Sequence, residues 1–296
     1  LAKIAVALQK RGSANVQDMG LSLGSKFAGR YEIQRKIGAG GFSTVYYSHD
    51  THTAPPKETA LKVYDLPPSK RNDRQFLSNF LREAYEHSKL THPNIIKLFD
   101  FGQTGGYYFL AMEYVPGQTL DEVVRLQGAL GETHVALIGY EVAKALRYMD
   151  ENRIIHRDIK PANIMITANG DVKVLDFGLA KKQEEGTLSI KDEFRGTPQF
   201  VSPEYILGDA NLDIRTDIYS LGATLYFAAT NVRPFSGNAT IEILNNHFRE
   251  IPPAIKLVNQ EYSETFSDLV DRMLARDRNQ RPTLDEILHT LRIHLS

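Results

Sequence analysis

The stretch from Ile154 to Asn163 constrains this chain more than any other, because it places three different polar groups in one short loop. The groups are a carboxylate at Asp158, an ammonium at Lys160 and a side-chain amide at Asn163. Pro161 has a fixed φ and no N–H group, so the segment is predicted to be a shaped loop rather than a helix. A proton acceptor, a cation for a phosphate and an amide oxygen for a metal would suit phosphoryl transfer. The alternative is an ordinary polar loop.

Composition limits the classes of protein to consider. The chain has 296 residues, enough for one large domain or two lobes, with 42% hydrophobic and 24% charged residues, as in a soluble globular protein. The net charge of -1 provides no overall basic field for nucleic acid or an anionic membrane. The absence of cysteine excludes disulfides and thiolate catalysis and agrees with a reducing compartment. No apolar run is long enough to span a bilayer, and we expect a cytoplasmic location.

Residues 1–28 are predicted to form an N-terminal extension. Leu1–Gln9 has apolar residues at helical spacing, which predicts a short helix resting on the domain or on a neighbouring chain, and residues 12–28 read as a linker. The chain begins at Leu1 rather than Met, so we expect a fragment. A membrane anchor could lie outside it in the full-length protein.

The rest of the chain changes character after about residue 115. The earlier part is predicted to hold one helix, at 75–90, and five strands, at 31–37, 44–48, 59–66, 95–101 and 107–114. The later part is predicted to be mostly helical, with a hairpin at 164–167 and 172–175 and with helices at 132–152, 217–230, 241–247, 264–275 and 283–295.

A glycine-rich segment joins the first two predicted strands and is a candidate phosphate-binding loop. Its candidate contacts are Ile37, Gly38, Ala39, Gly40, Gly41, Phe42, Ser43 and Val45. The glycines would let backbone N–H groups approach phosphate oxygens closely. A strand follows, where a dinucleotide-binding crossover would have a helix. The alternative is a plain hairpin turn.

Two further motifs carry charge in apolar surroundings. Lys62 lies in a hydrophobic strand and needs a counter-charge, for which Glu83 on the predicted helix is the natural partner and Glu86 the alternative. Asp176 follows another strand, in the sequence Asp-Phe-Gly, and could hold Mg²⁺ together with Asn163. The alternatives are an outward-facing surface lysine and a tight turn.

Together these motifs resemble those of the protein kinases. Lys62, Glu83, the 156–163 loop and Asp176-Phe177-Gly178 occur in the order and approximate spacing of that family. The similarity covers about residue 30 to the end and continues through Gly196-Thr-Pro-Gln-Phe, Ser202-Pro-Glu204, Asp217 and Arg281. The sequence around Asn163 and Gly170 looks most like that of bacterial Hanks-type Ser/Thr kinases.

The resemblance implies an α+β, bilobal protein-kinase-like fold. Residues 29–115 would form an N-lobe with a five-stranded antiparallel sheet and one main helix. Residues 116–296 would form a mostly α-helical C-lobe.

The resemblance also implies roles for the polar residues. Asp158 would accept or orient the proton of the substrate hydroxyl, and Lys160 would neutralise charge on the γ-phosphate. Asp176 and Asn163 would hold Mg²⁺, with Mn²⁺ as the alternative metal. Lys62, held by Glu83, would pair with the α- and β-phosphates of ATP.

The adenine contacts follow from the same resemblance. Met112 falls at the family's gatekeeper position. The C=O of Glu113 and the N–H of Val115 would bond the adenine edge. The residues stacking around the base would be Val45, Ala60 and Met165.

Other family positions imply acceptor binding and regulation. Thr197 would hydrogen-bond the catalytic loop and help to form the site for the residue after the phosphoacceptor. Arg157 next to Asp158 implies an activating phosphate, for which Thr187 and Ser189 are the candidates. His156 would be structural rather than a base, packed under Phe177. Glu204 and Arg281 would form a buried structural pair.

Two positions depart from the family pattern. Ser43 replaces the last glycine of the phosphate loop, at little expected cost. His87 stands where the family usually has an apolar residue packed against Phe177. We therefore expect the helix to be held less firmly in its active position without a partner or modification.

The resulting expectation is a Mg·ATP-dependent protein serine/threonine kinase that also autophosphorylates. Its partners would be protein substrates with a Ser or Thr acceptor and not nucleic acid, and a homodimer for autophosphorylation is left open. A pseudokinase scaffold that binds nucleotide without transfer and a small-molecule phosphotransferase are the alternatives.

Overall fold

The computed structural model describes residues 21–40, 43–66, 74–176 and 197–295, without the side chains of residues 74–76 and 79. These residues form two compact units. The first contains the described residues up to Thr91 together with Ile96–Pro116, and the second contains His92–Ile95 and the residues from Gly117 onward. The expected helix at Leu1–Gln9 lies outside the described residues.

Six strands form one antiparallel sheet in the first unit. Their bounds are β1 Lys26–Phe27, β2 Tyr31–Ala39, β3 Ser43–Asp50, β4 Lys57–Tyr64, β5 Leu98–Thr104 and β6 Tyr107–Glu113. The strands lie side by side in the order β1-β2-β3-β4-β6-β5. The expected antiparallel sheet of the α+β fold is therefore present, with one strand more than the five that the sequence indicates.

The additional strand is only two residues long. Phe27 pairs with Tyr31 across a tight turn in which Ala28 and Gly29 have φ values of 53° and 67°. The Phe27 ring is buried and meets the ring of Phe109 edge-on, with the centroids 5.5 Å apart. Two residues are too few to show the alternation that marks a strand in sequence.

One helix, α1 at Arg74–Ser88, packs against the sheet of the first unit. Its Phe80 ring meets Tyr64 of β4 and Tyr108 of β6, with centroid distances of 5.6 and 5.3 Å. These T-shaped contacts anchor α1 on β4 and β6, two of the strands that carry predicted nucleotide-binding residues.

The predicted strand at 95–101 is wrong at its start. The strand begins at Leu98, and Ile95 instead forms a parallel bridge with Val174 in the second unit. Val174 N–H donates to the C=O of Asn94 at 2.8 Å, and the Asn94 side chain donates to Val172 O at 2.9 Å. These backbone partners lie almost 80 residues away, so they leave no local pattern.

The second unit holds eight of the described α-helices and a three-stranded antiparallel sheet. The helices are α2 Leu120–Gln127, α3 Glu132–Glu151, α4 Pro203–Ile206, α5 Arg215–Thr230, α6 Thr240–Arg249, α7 Ile255–Val258, α8 Glu264–Met273 and α9 Leu284–Ile293. The strands are β7 Gly117–Thr119, β8 Ile164–Thr167 and β9 Val172–Val174. The hairpin β8-β9 confirms the predicted one to within a residue.

Helix α5 is the core of the second unit. Every residue from Thr216 to Thr230 is buried, and the helix packs against α3 and α8. Gly222 is required there, because a Cβ atom would come within 2.7 Å of Met273 on α8. None of the described helices is both long and apolar enough to cross a membrane.

Side-chain caps determine where several helices begin. Thr119 and Thr283 start α2 and α9 with capping boxes, in which Glu122 and Glu286 return a bond to the cap backbone. Ser263 caps α8 through the N–H of Phe266. Each cap satisfies an N–H group that would otherwise have no partner within the helix.

Candidate active site

The loop from Ile154 to Asn163 brings its three predicted polar groups together in the second unit. Asp158 Oδ2 lies 3.0 Å from Lys160 Nζ and accepts a hydrogen bond from Asn163 Nδ2 at 2.9 Å. Pro161–Asn163 forms one turn of 3₁₀-helix, which turns the Asn163 side chain back towards Asp158. The side chains of Lys160 and Asp158 are 18% and 15% exposed, so the carboxylate remains accessible to a substrate.

The amide of Asn163 is oriented by its donors. Nδ2 donates both to Asp158 O and to Asp158 Oδ2, each at 2.9 Å. This leaves the amide oxygen, Oδ1, as the acceptor that faces away from Asp158. The backbone O of Asn163 accepts from Leu175 N at 2.8 Å, which places Asn163 beside the residue before Asp176. Oxygen donors of this kind suit Mg²⁺.

Asp176 lies two residues beyond β9, half-buried, with a φ of 44°. This left-handed conformation is uncommon outside glycine, although aspartate tolerates it better than most residues. Phe177 and Gly178, the other residues of this motif, lie outside the described residues.

A buried carboxylate on α5 holds the start of the loop. Asp217 Oδ2 accepts the N–H of His156 at 2.7 Å, and Oδ1 accepts the N–H of Arg157 at 2.8 Å. Arg157 has a φ of 65°, a strained conformation for a long side chain, which these bonds help to maintain. Burial raises the pKa of Asp217 to about 7, while the two N–H donors act in the opposite direction.

Both ring nitrogens of His156 are engaged in hydrogen bonds within the protein. The ring is buried, with Nε2 donating to the C=O of Leu175 at 2.8 Å and Nδ1 accepting the N–H of Asp158 at 3.2 Å. A carbonyl oxygen only accepts, so Nε2 carries a proton, and a backbone N–H only donates, so Nδ1 carries none. The ring is therefore neutral. His156 therefore ties the loop to the end of β9, which agrees with the expected structural role. Its expected contact with Phe177 lies outside the described residues.

The glycine-rich segment spans the turn from β2 to β3 in the first unit. Gly38 pairs with Val45 and Ala39 with Thr44, and the N–H of Gly40 donates to the C=O of Ser43 at 2.7 Å. Ile37 is exposed beside it. The predicted contacts Gly41 and Phe42 lie outside the described residues.

Lys62 and Glu83 both lie in the first unit. Lys62 is half-buried on β4, opposite Val45 of β3, with Nζ 5.5 Å from the ring centroid of Tyr64. Both carboxylate oxygens of Glu83, on α1, are buried. Charged side chains are seldom fully buried unless they are paired.

The predicted adenine-contacting residues of the first unit cluster on neighbouring strands. Ala60 of β4 pairs directly with Met112 of β6, and both are buried. The N–H of Glu113 donates to Lys97 O at 2.8 Å. Val115, two residues later, is buried. Met165 belongs to the second unit, half-buried on β8.

His87, the departure on α1, is buried at 3% exposure and hydrogen-bonds the C=O of Ile96 through Nε2 at 3.2 Å. The bond ties the end of α1 to the segment that leads into β5. Its expected contact with Phe177 lies outside the described residues, as do the phosphorylation candidates Thr187 and Ser189.

The segment after Thr197 is a short turn that is hydrogen-bonded to α6. Pro198–Phe200 forms a single 3₁₀ turn, with the N–H of Phe200 donating to the C=O of Thr197 at 3.3 Å. Within the described part of the chain, no hydrogen bond joins the Thr197 side chain to the 156–163 loop. The C=O of Pro198 accepts from His247 Nε2 of α6 at 2.8 Å.

Sequence reasoning missed His247. It is 0% exposed, and its Nδ1 lies 2.7 Å from the hydroxyl of Tyr219 on α5. The available signal was its spacing of four residues from Ile243, the other buried residue of α6. A histidine in the apolar stripe of a helix is buried and needs hydrogen-bond partners.

Burial of His247 predicts a pH dependence of stability. Desolvation lowers its pKa from 6.5 to about 4, against the bond to Pro198, so between these pH values the unfolded chain binds more protons than the folded one. The free energy of unfolding should therefore fall as the pH drops from 6.5 towards 4, by about 2–3 kcal/mol from this residue. Urea unfolding at pH 7 and pH 4.5 measures it. His247→Gln should show a smaller loss than the wild type, and equal losses would contradict the assignment.

The expected buried pair of Glu204 and Arg281 is present. Arg281 Nη1 and Nη2 bond the two carboxylate oxygens of Glu204 at 2.7 and 2.8 Å, and the Arg281 side chain is fully buried. Its other N–H groups donate to the carbonyls of Ala275, Arg215 and Arg276. Burial alone would raise the pKa of Glu204, but the bonds from Arg281 lower it overall.

The sequence matches a family model and curated proteins. The family model of the protein kinase domain matches residues 31–291. Among curated proteins, the chain is 34% identical over 255 residues to the serine/threonine-protein kinase PrkC of Bacillus subtilis, covering 86% of this chain and 39% of that protein. It is 35% identical over 265 residues to PknB of Mycobacterium tuberculosis, covering 87% and 41%. The chain thus spans about two-fifths of the length of these relatives.

Solved structures show the same similarity. The kinase domain of Mycobacterium tuberculosis PknI superimposes with a TM-score of 0.72 and 26% identity, covering 94% of this chain and 100% of that one. Rad53 in complex with AMP-PNP superimposes with a TM-score of 0.73 and 28% identity, covering 90% and 66%.

Proposed function

Because this chain belongs to the protein kinase family, as a Hanks-type serine/threonine kinase domain of the bacterial kind, we propose that it transfers the γ-phosphate of ATP to Ser or Thr hydroxyls of protein substrates. The observation that carries the proposal is the contact of Asp158 with both Lys160 and Asn163. It gathers a proton acceptor, a cation and an amide in one rigid loop.

Residues of the first unit would bind the nucleotide. Backbone N–H groups of the segment from Ile37 to Val45, including those of Gly41 and Phe42 but not that of Gly40, which donates to Ser43 O, would contact the phosphates. Lys62 would pair with the α- and β-phosphates. Glu83 would hold Lys62 in that position. In the first unit, the adenine would lie against Ala60 and Met112, with its edge bonded by the backbone of Glu113 and Val115.

Asp176 and the Oδ1 atom of Asn163 fit a divalent cation, since both present oxygen, and they would hold Mg²⁺ or Mn²⁺. The ion would neutralise charge on the transferring phosphate. Within the chain itself, Asp158 would accept the proton of the acceptor hydroxyl as its oxygen bonds the γ-phosphorus and the bond from that phosphorus to the leaving ADP oxygen breaks. Lys160, 3.0 Å from Asp158, would stabilise negative charge on the transferred phosphoryl group.

Thr197 and Pro198 would seat the residue that follows the acceptor. Thr187 or Ser189 would carry an activating phosphate opposite Arg157, transferred between two copies of the chain. These regulatory proposals rest on the family resemblance and on the position of Arg157 beside Asp158.

Transfer of labelled phosphate from Mg·ATP to a generic basic protein tests the function. We expect phosphoserine or phosphothreonine in the acceptor, and Lys62→Met should lower transfer about 10–100-fold, because a charge-assisted contact with ATP is lost. The matched control is Lys26→Met, an exposed lysine on β1, which should leave transfer unchanged. Mg²⁺-dependent nucleotide binding by the wild type without any transfer would instead indicate a pseudokinase.

A further inference from the structure

A chain of side-chain contacts leads from the buried ion pair to the Thr197 segment. The guanidinium of Arg281 lies over the Tyr219 ring, 4.9 Å from its centroid. The Tyr219 hydroxyl lies 2.7 Å from His247 Nδ1, and His247 Nε2 lies 2.8 Å from the C=O of Pro198. The contacts join α5, α6 and the 3₁₀ turn of the second unit.

The direction of each hydrogen bond follows from its acceptor. The C=O of Pro198 can only accept, so His247 Nε2 carries the proton and donates it. In the neutral ring Nδ1 is then an acceptor, which fixes the Tyr219 O–H as its donor. Every polar atom of the ring is used, so the arrangement has one hydrogen-bonding pattern and no spare donor.

Packing fixes the ring as firmly as the hydrogen bonds do. The His247 ring lies 4.1 Å from the Phe235 ring, centroid to centroid, and Phe235 is stacked parallel to Tyr219 at 6.5 Å. All three side chains are buried. The imidazole is therefore enclosed by packed side chains, and its Nε2–H points at the Pro198 carbonyl.

That place is the carbonyl of Pro198, in the single 3₁₀ turn of the Thr197 segment. Pro198 has no N–H group, and the turn is closed by one long backbone bond of 3.3 Å. The bond from His247 thus sets the orientation of the peptide plane between Pro198 and Gln199. A tilt of this plane would move Thr197 and Pro198, while Asp158 and Lys62 would stay in place.

We propose that His247 is a positioning residue for the acceptor polypeptide, acting through the Pro198 carbonyl. The proposal rests on the proposed role of Thr197 and Pro198 in seating the residue after the phosphoacceptor. It places acceptor recognition under the control of a buried histidine that touches neither ATP nor the acceptor.

Steady-state kinetics with a serine peptide as acceptor tests the proposal. His247→Phe keeps an aromatic ring against Phe235 but loses the donor to Pro198. We expect about a tenfold higher KM for the peptide, as for one lost buried hydrogen bond, and an unchanged KM for ATP. His247→Gln retains an N–H donor and should stay within about threefold of the wild type. The control His289→Phe changes an exposed histidine on α9 and should have no effect.

Several outcomes would overturn the proposal. An unchanged peptide KM in His247→Phe would do so, as would equal increases for peptide and ATP or the absence of rescue by glutamine. Peptide-independent ATP hydrolysis should stay constant across the variants. If the wild type itself transfers no phosphate, the proposed function fails instead, so the two failures are distinguishable.

A second measurement does not depend on the folding of His247→Phe. Histidine ¹H–¹⁵N spectra of the wild type should show a neutral ring protonated on Nε2. In Tyr219→Phe, which removes only the hydroxyl, Nδ1 loses its donor, and its nitrogen resonance should move while the Nε2 proton remains. A proton on Nδ1 in the wild type would overturn the proposal.

Discussion

Replacing Asp158 with asparagine should lower phosphoryl transfer about 10²–10⁴-fold, the usual contribution of a positioned general base. The amide has nearly the shape of the carboxylate but cannot take the proton of an acceptor hydroxyl. In addition, Oδ2 accepts from both Lys160 and Asn163, and an NH₂ group in that position would face two donors. Initial rates of phosphate incorporation into a peptide, at saturating ATP, measure the effect.

The matched control is Asp171→Asn, the same substitution at an exposed carboxylate in the β8-β9 turn. Asp171 bonds only to Thr167, within its own turn, among the contacts described. Its variant should transfer phosphate at the wild-type rate. Undiminished transfer by Asp158→Asn would contradict the assignment of Asp158, and equal losses in both variants would show that the substitution acts through the fold.

Replacing Arg281 with methionine should lower the free energy of unfolding by about 3–5 kcal/mol. The substitution fits the space but leaves the Glu204 carboxylate buried at 10% exposure without its bidentate partner. It also removes the donors to the carbonyls of Ala275, Arg215 and Arg276. The shift of the urea midpoint, with the slope held common, measures the loss.

Arg147→Met is the control for Arg281→Met. Arg147 is half-exposed and reaches Asp285 at 3.4 Å across the surface, so its loss should change stability by less than about 1 kcal/mol. Arg281→Lys, which keeps the charge without the bidentate geometry, should fall between the two. A double variant with Glu204→Gln should lose less than the sum of the single losses, because no unpaired charge remains. A loss from Arg281→Met no larger than that of the control would refute the argument.

The parts of the site that lie within one short segment could be predicted from the sequence. The loop from Ile154 to Asn163 holds its carboxylate, ammonium and amide within ten positions, so chain connectivity alone keeps them close. The β8-β9 hairpin was equally visible, because Asn169 and Gly170 mark its turn. Family resemblance supplied the roles, which geometry alone would have left open.

The parts that depend on distant contacts could not be predicted. His247 and Pro198 are 49 positions apart, and Ile95 and Val174 almost 80. The partner of a buried histidine, or of a strand-like run, is decided by packing rather than by local pattern. The same limit hid β1, whose two residues pair with β2 only because the turn at Ala28 and Gly29 folds back.

The hold of Asp217 on the loop has a consequence for how this domain can change. The proposed catalytic residue Asp158 is partly exposed, whereas the backbone N–H groups of His156 and Arg157 just before it are bonded to α5, in which every residue from Thr216 to Thr230 is buried. Substitutions that loosen the packing of α5 are therefore expected to displace the loop that holds Asp158 as well as to lower stability. On the proposed role of His247, substitutions on α6 would instead change acceptor recognition without displacing this loop.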